Sequence, residues 1–95
     1  MMNAAAMHEK TENARKAFLD FAFQSVDQWI DETAIPEMQK KAQRGIFCWV
    51  VKNFPTLRDD ELSTQVCQYA GNLLDENGYC YDTDNEGTKI TAIYW

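Results

Sequence analysis

The fold is decided by residues 59–95, DDELSTQVCQYAGNLLDENGYCYDTDNEGTKITAIYW. In the first half of this stretch, apolar residues recur at steps of three and four, which predicts one buried face of a helix. Gly78 supplies the left-handed residue that ends many helices, and Asp84 with Gly87 suits a type I turn closed by a glycine bulge. The stretch therefore predicts a helix that leads into a β-hairpin. The helical face consists of Leu62, Val66, Tyr69, Ala70, Leu73 and Leu74.

Three further elements precede this stretch. Residues 45–52, GIFCWVVK, are rich in β-branched and aromatic side chains and predict a strand with apolar residues on both faces. Residues 12–32 carry a helical pattern, and residues 36–44 predict a second helix, because Ile35-Pro36 should interrupt the first. We expect an α+β fold in which two N-terminal helices precede β-α-β-β. Its three-stranded antiparallel sheet has the order 45–52, 89–95, 78–83, with the helices packed on one face.

The composition is typical of one small folded domain that spans residues 1–95. The 95 residues are 45% hydrophobic, which argues against disorder. Residues 1–10 lack the basic start and apolar run of a secretion signal, so we expect a disordered or frayed extension there. Cys48, Cys67 and Cys80 form no Cys-x-x-Cys pair, which favours a reducing compartment over a disulfide framework or zinc site. We expect a cytoplasmic protein that does not bind a membrane.

The net charge of −6 is concentrated in the second half of the chain. Residues 1–45 contain six basic and seven acidic side chains, whereas residues 46–95 contain three basic and eight acidic ones. An acidic surface repels phosphate, so direct nucleic-acid binding is disfavoured. Two interpretations remain open: the acidic residues serve solubility alone, or they dock on a protein partner with a basic surface and compete there with nucleic acid.

No catalytic or cofactor motif is visible in the sequence. His8 is the sole histidine and lies in the expected extension, and the four glycines are isolated, so neither a His-dependent nucleophile nor a phosphate-binding loop is predicted. Residues 82–87, DTDNEG, resemble the start of a calcium loop, but Ile93 stands where a bidentate Glu is required. We therefore expect a non-enzymatic protein without a metal or cofactor.

Aromatic residues are abundant, and Trp and Tyr are favoured at interface hot spots. Burial in the core is the competing explanation. The apolar face of the N-terminal helix is broader than contact with one small neighbouring element requires. This face is therefore either buried against other elements of the monomer or used for self-association, as in a homodimer. The candidate self-association residues are Phe18, Phe21 and Trp29. The candidate partner-binding residues are Asp82, Asp84, Glu86, Tyr79, Tyr81, Trp49, Tyr94 and Trp95.

The last third of the chain also carries a family resemblance. Its features are a helix that ends in LLDEN (residues 73–77), then GYCY (78–81), a short acidic turn and a closing IYW (93–95). Together these features resemble small uncharacterised proteins carried by phages and prophages of Gram-positive bacteria. Residues 36–51 show a weaker similarity to the same proteins. The resemblance implies the helix-plus-sheet arrangement and a mobile-element origin, and it identifies no active site. We expect an adaptor or inhibitor that acts, in the cytoplasm of a bacterial host, on a basic nucleic-acid-handling or defence protein. A self-assembling virion or scaffold component is the alternative.

Overall fold

The computed structural model describes all 95 residues and has an α+β architecture. Its elements are α1 (Ala4–Trp29), a π-helical turn (Ile30–Ala34), α2 (Ile35–Gln43), β1 (Cys48–Val50), α3 (Asp60–Glu76), β2 (Cys80–Thr83) and β3 (Ile90–Tyr94). The strands form one antiparallel sheet in the order β1-β3-β2, which confirms the predicted pairing of the first strand with the last. No helix is both long enough and apolar enough to cross a membrane.

The two predicted N-terminal helices are joined into one, which corrects the expected interruption at Ile35-Pro36. Ile35 keeps helical backbone angles (φ −60°, ψ −50°), and its N–H donates to the carbonyl of Ile30, five residues back. Proline cannot donate a hydrogen bond, and its ring crowds the carbonyl of the residue four positions earlier. The π-helical turn widens the helix just before Pro36 and relieves that conflict. A local change of helix type therefore replaces the expected break.

The N-terminal part of α1 projects from the body of the molecule. Helix α1 begins at Ala4 and is capped by the Asn3 side chain, which accepts a hydrogen bond from Ala6 N at 2.9 Å. Residues 1–10, which we expected to be disordered or frayed, are thus helical from Ala4 onward, and all are exposed. The molecule measures 63 × 25 × 22 Å, and its radius of gyration of 16.2 Å exceeds the value of about 12 Å for a compact chain of this length. The projecting helix accounts for the elongated shape.

The core lies between the helices and one face of the sheet. Trp49 and Ile93 occupy facing positions on β1 and β3, and both are buried. The indole of Trp29 in α1 stacks on Trp49 with ring centroids 5.9 Å apart, and Phe54 meets Trp29 edge to face at 5.3 Å. Val50, the neighbour of Trp49 on β1, points to the other face of the sheet and is exposed. The helices therefore cover one face, as predicted.

Polar groups fix the start of α3. The Asp59 carboxylate caps the helix by accepting a hydrogen bond from Leu62 N at 3.0 Å, and this bond, helped by the nearby Arg15 guanidinium, lowers the pKa of Asp59. The buried Ser63 hydroxyl donates to the Leu57 carbonyl at 2.8 Å and accepts from Leu57 N at 3.0 Å, which closes the preceding loop. These two residues therefore fix where α3 begins.

A close approach between α3 and β2 depends on a glycine. Gly71 is buried in the middle of α3, and the ring of Tyr81 from β2 lies directly against its Cα. A Cβ added at Gly71 would lie 2.5 Å from Tyr81 Cζ and 3.0 Å from Cε2. Glycine is usually unfavourable inside a helix, so this residue is explained by the space that Tyr81 requires.

Candidate functional site

The residues predicted to bind a partner do not form one surface. Trp49 and Tyr81 lie on the face of the sheet that packs against the helices. Tyr94 and Asp82 lie on the opposite face, where the Tyr94 hydroxyl donates to Asp82 Oδ2 at 2.5 Å and the bond raises the pKa of Tyr94. The remaining predicted residues lie at the two ends of the sheet: Asp84 and Glu86 in the hairpin turn, Tyr79 and Trp95 near the end of α3.

Within the hairpin turn, the Asp84 carboxylate accepts hydrogen bonds from the turn itself. The donors are Thr88 N at 2.8 Å and Thr88 Oγ1 at 2.7 Å. These bonds lower the pKa of Asp84, because they stabilise its charged form. Gly87 N donates to the Asp84 carbonyl at 3.2 Å and Gly87 takes a positive φ of 70°, as the sequence suggested. Asp84 therefore shapes the turn, whereas Glu86 stays exposed.

Tyr79 and Trp95 line a groove at the carboxyl end of α3, which we call the α3-end groove. It consists of two adjoining hollows of about 560 and 360 Å³ that share Ile35, Asn77 and Tyr79. No lysine, arginine or histidine lines either hollow. The other lining residues are Asp27, Ile30, Asp31, Leu73 and Leu74 in the larger hollow, and Met38, Gln39, Ala42, Gly78 and Trp95 in the smaller one.

One carboxylate of the α3-end groove is held in place by an aromatic pair. The Tyr69 hydroxyl donates to Asp27 Oδ1 at 2.8 Å, and the Phe23 ring stacks on Tyr69 with centroids 4.4 Å apart. The hydrogen bond to Asp27 raises the pKa of Tyr69. Asp31 follows one turn later, in the π-helical turn, and lines the same hollow. Two carboxylates of the N-terminal helix thus face the end of α3.

The end of α3 is itself acidic. Its last turn contains Asp75 and Glu76 and no basic residue. A helix carries partial negative charge at its carboxyl end, where basic residues are stabilising and acidic ones are not. Asn77 Nδ2 donates to the Leu73 carbonyl at 2.7 Å, and Gly78, with φ of 83°, ends the helix. The carbonyls are thus capped by neutral groups, and the negative charge of this end remains without a counter-charge in the groove.

The proposed self-association residues are divided between surface and core. Phe18 and Phe21 on α1 are 58% and 71% exposed. Trp29 lies in the core against Trp49 and is not part of the same surface. A second exposed apolar area lies at the uncovered face and edge of the sheet, around Phe47 and Val50. Only part of the broad apolar face of α1 is therefore buried in the monomer.

The groups that serve most often in catalysis or metal binding are dispersed. No group of three or more His, Cys, Asp or Glu side chains is close enough to hold a metal ion. His8 lies on the projecting part of α1, 3.7 Å from Glu12 Oε1. Comparison with known proteins found no matching family model, no similar curated protein and no similar solved structure.

The sequence-based prediction missed most of the α3-end groove. Tyr79 and Trp95 were singled out, but Asp27 and Asp31 come from a helix that is distant in sequence and meet the end of α3 only through tertiary packing. The sequence did indicate that this region is acidic, because Asp75 and Glu76 occupy the last turn of the predicted helix, where basic residues are expected.

Proposed function

We propose that this is a non-enzymatic binding protein whose α3-end groove accepts a basic segment of another protein. The observation that carries the proposal is the pair of carboxylates, Asp27 and Asp31, in a lining that contains no basic side chain. Asp75 and Glu76 add negative charge nearby, in the last turn of α3 and outside the lining. Each is placed where it opposes the helix dipole, at a cost of about 0.3–1 kcal/mol. Departures from local rules without a visible compensation are concentrated at functional sites. A bound cation would supply the missing compensation.

The lining of the α3-end groove suits lysine or arginine side chains. Ile35 and Leu73 offer apolar surface for an aliphatic stem, while Asp27 and Asp31 offer carboxylates for its charged head. Tyr79 is shared by both hollows and presents an aromatic ring to the same space, where cation–π contact adds to the attraction. The groove thus matches a partner with both basic and apolar side chains.

A nucleic-acid-handling protein offers such a surface, because it must attract phosphate. An adaptor or inhibitor that occupied this surface would compete there with nucleic acid. The excess of acidic side chains in residues 46–95 and the abundance of aromatic residues support this role. A self-assembling structural component is the second candidate, favoured by the exposure of Phe18 and Phe21.

The proposal is tested by titrating the ¹⁵N-labelled protein with a short peptide of alternating arginine and leucine. We expect NMR shift changes centred on Asp31, Asn77, Tyr79 and the Trp95 indole N–H, and an affinity that falls steeply with salt. A peptide with glutamate in place of arginine should produce none of these changes. Shift changes spread over all acidic surfaces would contradict a specific groove.

Paired charge variants distinguish specific binding in the groove from a general effect of net charge on affinity. Asp27→Asn with Asp31→Asn should weaken peptide binding about five- to thirtyfold, because each lost surface charge is worth up to about 1 kcal/mol. The control, Glu9→Gln with Asp20→Asn, changes the net charge equally on exposed parts of α1 and should leave the affinity nearly unchanged. Asp75→Asn alone should raise the free energy of unfolding by about 0.3–1 kcal/mol. Equal weakening by both pairs would refute the groove.

A further inference from the structure

Helix α1 carries a second apolar row that the monomer leaves in water. Its members follow one another at alternating steps of three and four residues, which is the spacing of a coiled-coil seam. Phe18, Phe21 and Met7 are 58%, 71% and 53% exposed, and the smaller members are exposed as well. We call this row the exposed stripe; it consists of Ala4, Met7, Thr11, Ala14, Phe18 and Phe21.

The exposed stripe is distinct from the face that holds α1 in the fold. Leu19, Phe23 and Val26 pack into the core, and at 3.6 residues per turn their mean direction lies roughly 135° around the helix from that of Phe18 and Phe21. Residues 4–14 are helical and have no side chain in the core. Most of the stability of a helix in a protein comes from tertiary packing of one apolar face. The projecting segment therefore lacks the packing that normally supports a helix.

We propose that two copies of this chain pair antiparallel through their exposed stripes, with the numbers of facing residues summing to 25. Phe18 of one copy then faces Met7 of the other, and Phe21 faces Ala4. Thr11 faces Ala14 at the two-fold axis. The register follows from the spacing of the stripe. In this antiparallel pairing each three-residue step along one helix lies opposite a three-residue step of the other, and each four-residue step lies opposite a four-residue step.

Side-chain size favours this register over a parallel one. The large residues Phe18 and Phe21 are confined to one end of the exposed stripe and Ala4 to the other. An antiparallel pair sets Phe21 against Ala4 and Phe18 against Met7, so its layers differ less in volume than those of a parallel pair. A parallel pair would stack four phenylalanines at one end and leave gaps between alanines at the other.

Charge points to the same arrangement. Residues 1–20 contain three basic and three acidic side chains, so the net charge of −6 belongs entirely to residues 21–95. The projecting segment is thus the part of the molecule with the least repulsion between copies. An antiparallel pair also places the two acidic bodies at opposite ends of the helical pair, whereas a parallel pair would bring them side by side.

The area involved predicts a dimer of moderate affinity. Phe18 and Phe21 each expose roughly 100–150 Å², and the paired helices overlap over residues 4–21, or about 27 Å. With Met7 and the small residues of both copies, the interface would bury on the order of 1,000 Å², near the lower bound for specific complexes. Beside Phe21 the stripe ends at a hollow of about 140 Å³ that Pro55 and Leu57 also line.

Sedimentation equilibrium from micromolar to millimolar concentration tests the pairing. We expect the mass to rise from 11.0 kDa to twice that value. Phe18→Glu or Phe21→Glu should raise the dissociation constant at least about a hundredfold, because two charges would then enter the seam. The matched control is Phe47→Glu, since Phe47 is 73% exposed but lies near the sheet edge; it should leave the mass unchanged. Tryptophan fluorescence from Trp29 and Trp49 confirms that each variant is folded.

The orientation is tested with a mixture of isotope-labelled and unlabelled protein. An intermolecular NOE between the Met7 methyl group and the Phe18 ring is expected. In a parallel pair these groups lie about 16 Å apart along the axis, and Phe18 would contact Phe18 instead. A chain that stays monomeric at millimolar concentration, a Phe47→Glu variant as impaired as Phe18→Glu, or contacts only between identical residues would each overturn the proposal.

Discussion

Replacing Gly71 by alanine should destabilise this protein, although the same change stabilises most helices. At an unconstrained helical site the substitution gains about 1 kcal/mol. Here the new Cβ would lie 2.5 Å from Tyr81 Cζ, so the ring or the strand that carries it must move. Overpacking of this kind costs about 1–3 kcal/mol. We expect a net loss of up to about 2 kcal/mol, with the melting temperature lower by about 4–8 °C for each kcal/mol lost.

Urea unfolding followed by circular dichroism and tryptophan fluorescence measures this loss, and a double-mutant cycle assigns its cause. Tyr81→Ala costs packing by itself, but in that background Gly71→Ala should become neutral or stabilising. The coupling energy between the two sites should therefore be about 1–3 kcal/mol. Asn72→Ala, at an exposed site on the same helix, serves as the control and should change stability by less than about 0.7 kcal/mol. A Gly71→Ala variant more stable than the natural protein would refute the reasoning.

Two further predictions concern titrating side chains. Burial raises the pKa of the Cys67 thiol to about 11, with a smaller effect from the charge of Asp84, so a thiol reagent at neutral pH should modify the exposed Cys80 at once and Cys67 only as fast as the protein unfolds. Equal rates in the folded protein would contradict this. The folded protein holds the Tyr69 proton more tightly than the unfolded chain does, because the Tyr69 hydroxyl donates to Asp27. The stabilising contribution of this hydrogen bond is therefore complete below the ordinary tyrosine pKa near 10, and it is lost as the pH rises through the raised pKa of Tyr69. The urea concentration at the unfolding midpoint should fall less steeply with rising pH for Tyr69→Phe than for the natural protein. Identical slopes would exclude the hydrogen bond from Tyr69 to Asp27 as the cause of the pH dependence.

The sheet and α3 were predictable because each follows from a local pattern. β1 pairs with β3 because β3 already pairs with β2 in the hairpin, so adding β1 beside β3 gives antiparallel neighbours throughout. The joined N-terminal helix was not predictable from the same patterns. Proline at position 36 signals a boundary in most chains, and the π-helical turn that accommodates it has no recognisable sequence signature. The fold class was therefore correct while the helix count was not.

The candidate surfaces show the same division between local and tertiary information. The spacing of Met7, Phe18 and Phe21 is visible in the sequence, but their exposure depends on which side of α1 the core occupies. Tyr81 was a reasonable interface candidate by composition, yet in the structure its ring packs closely against Gly71 of α3. Residue type alone does not distinguish a tyrosine at an interface from one that fills the interior.

The two proposed surfaces are compatible with each other because they occupy different parts of the chain. The exposed stripe ends at Phe21, whereas the α3-end groove begins at Asp27 and is built around the end of α3. An antiparallel dimer would therefore leave both grooves open, one toward each end of the helical pair. Two linked grooves favour a partner that presents basic segments repeatedly, since the second contact then forms at a high effective concentration. A nucleic-acid-handling protein that assembles in several copies presents such repeats, whereas a single copy does not.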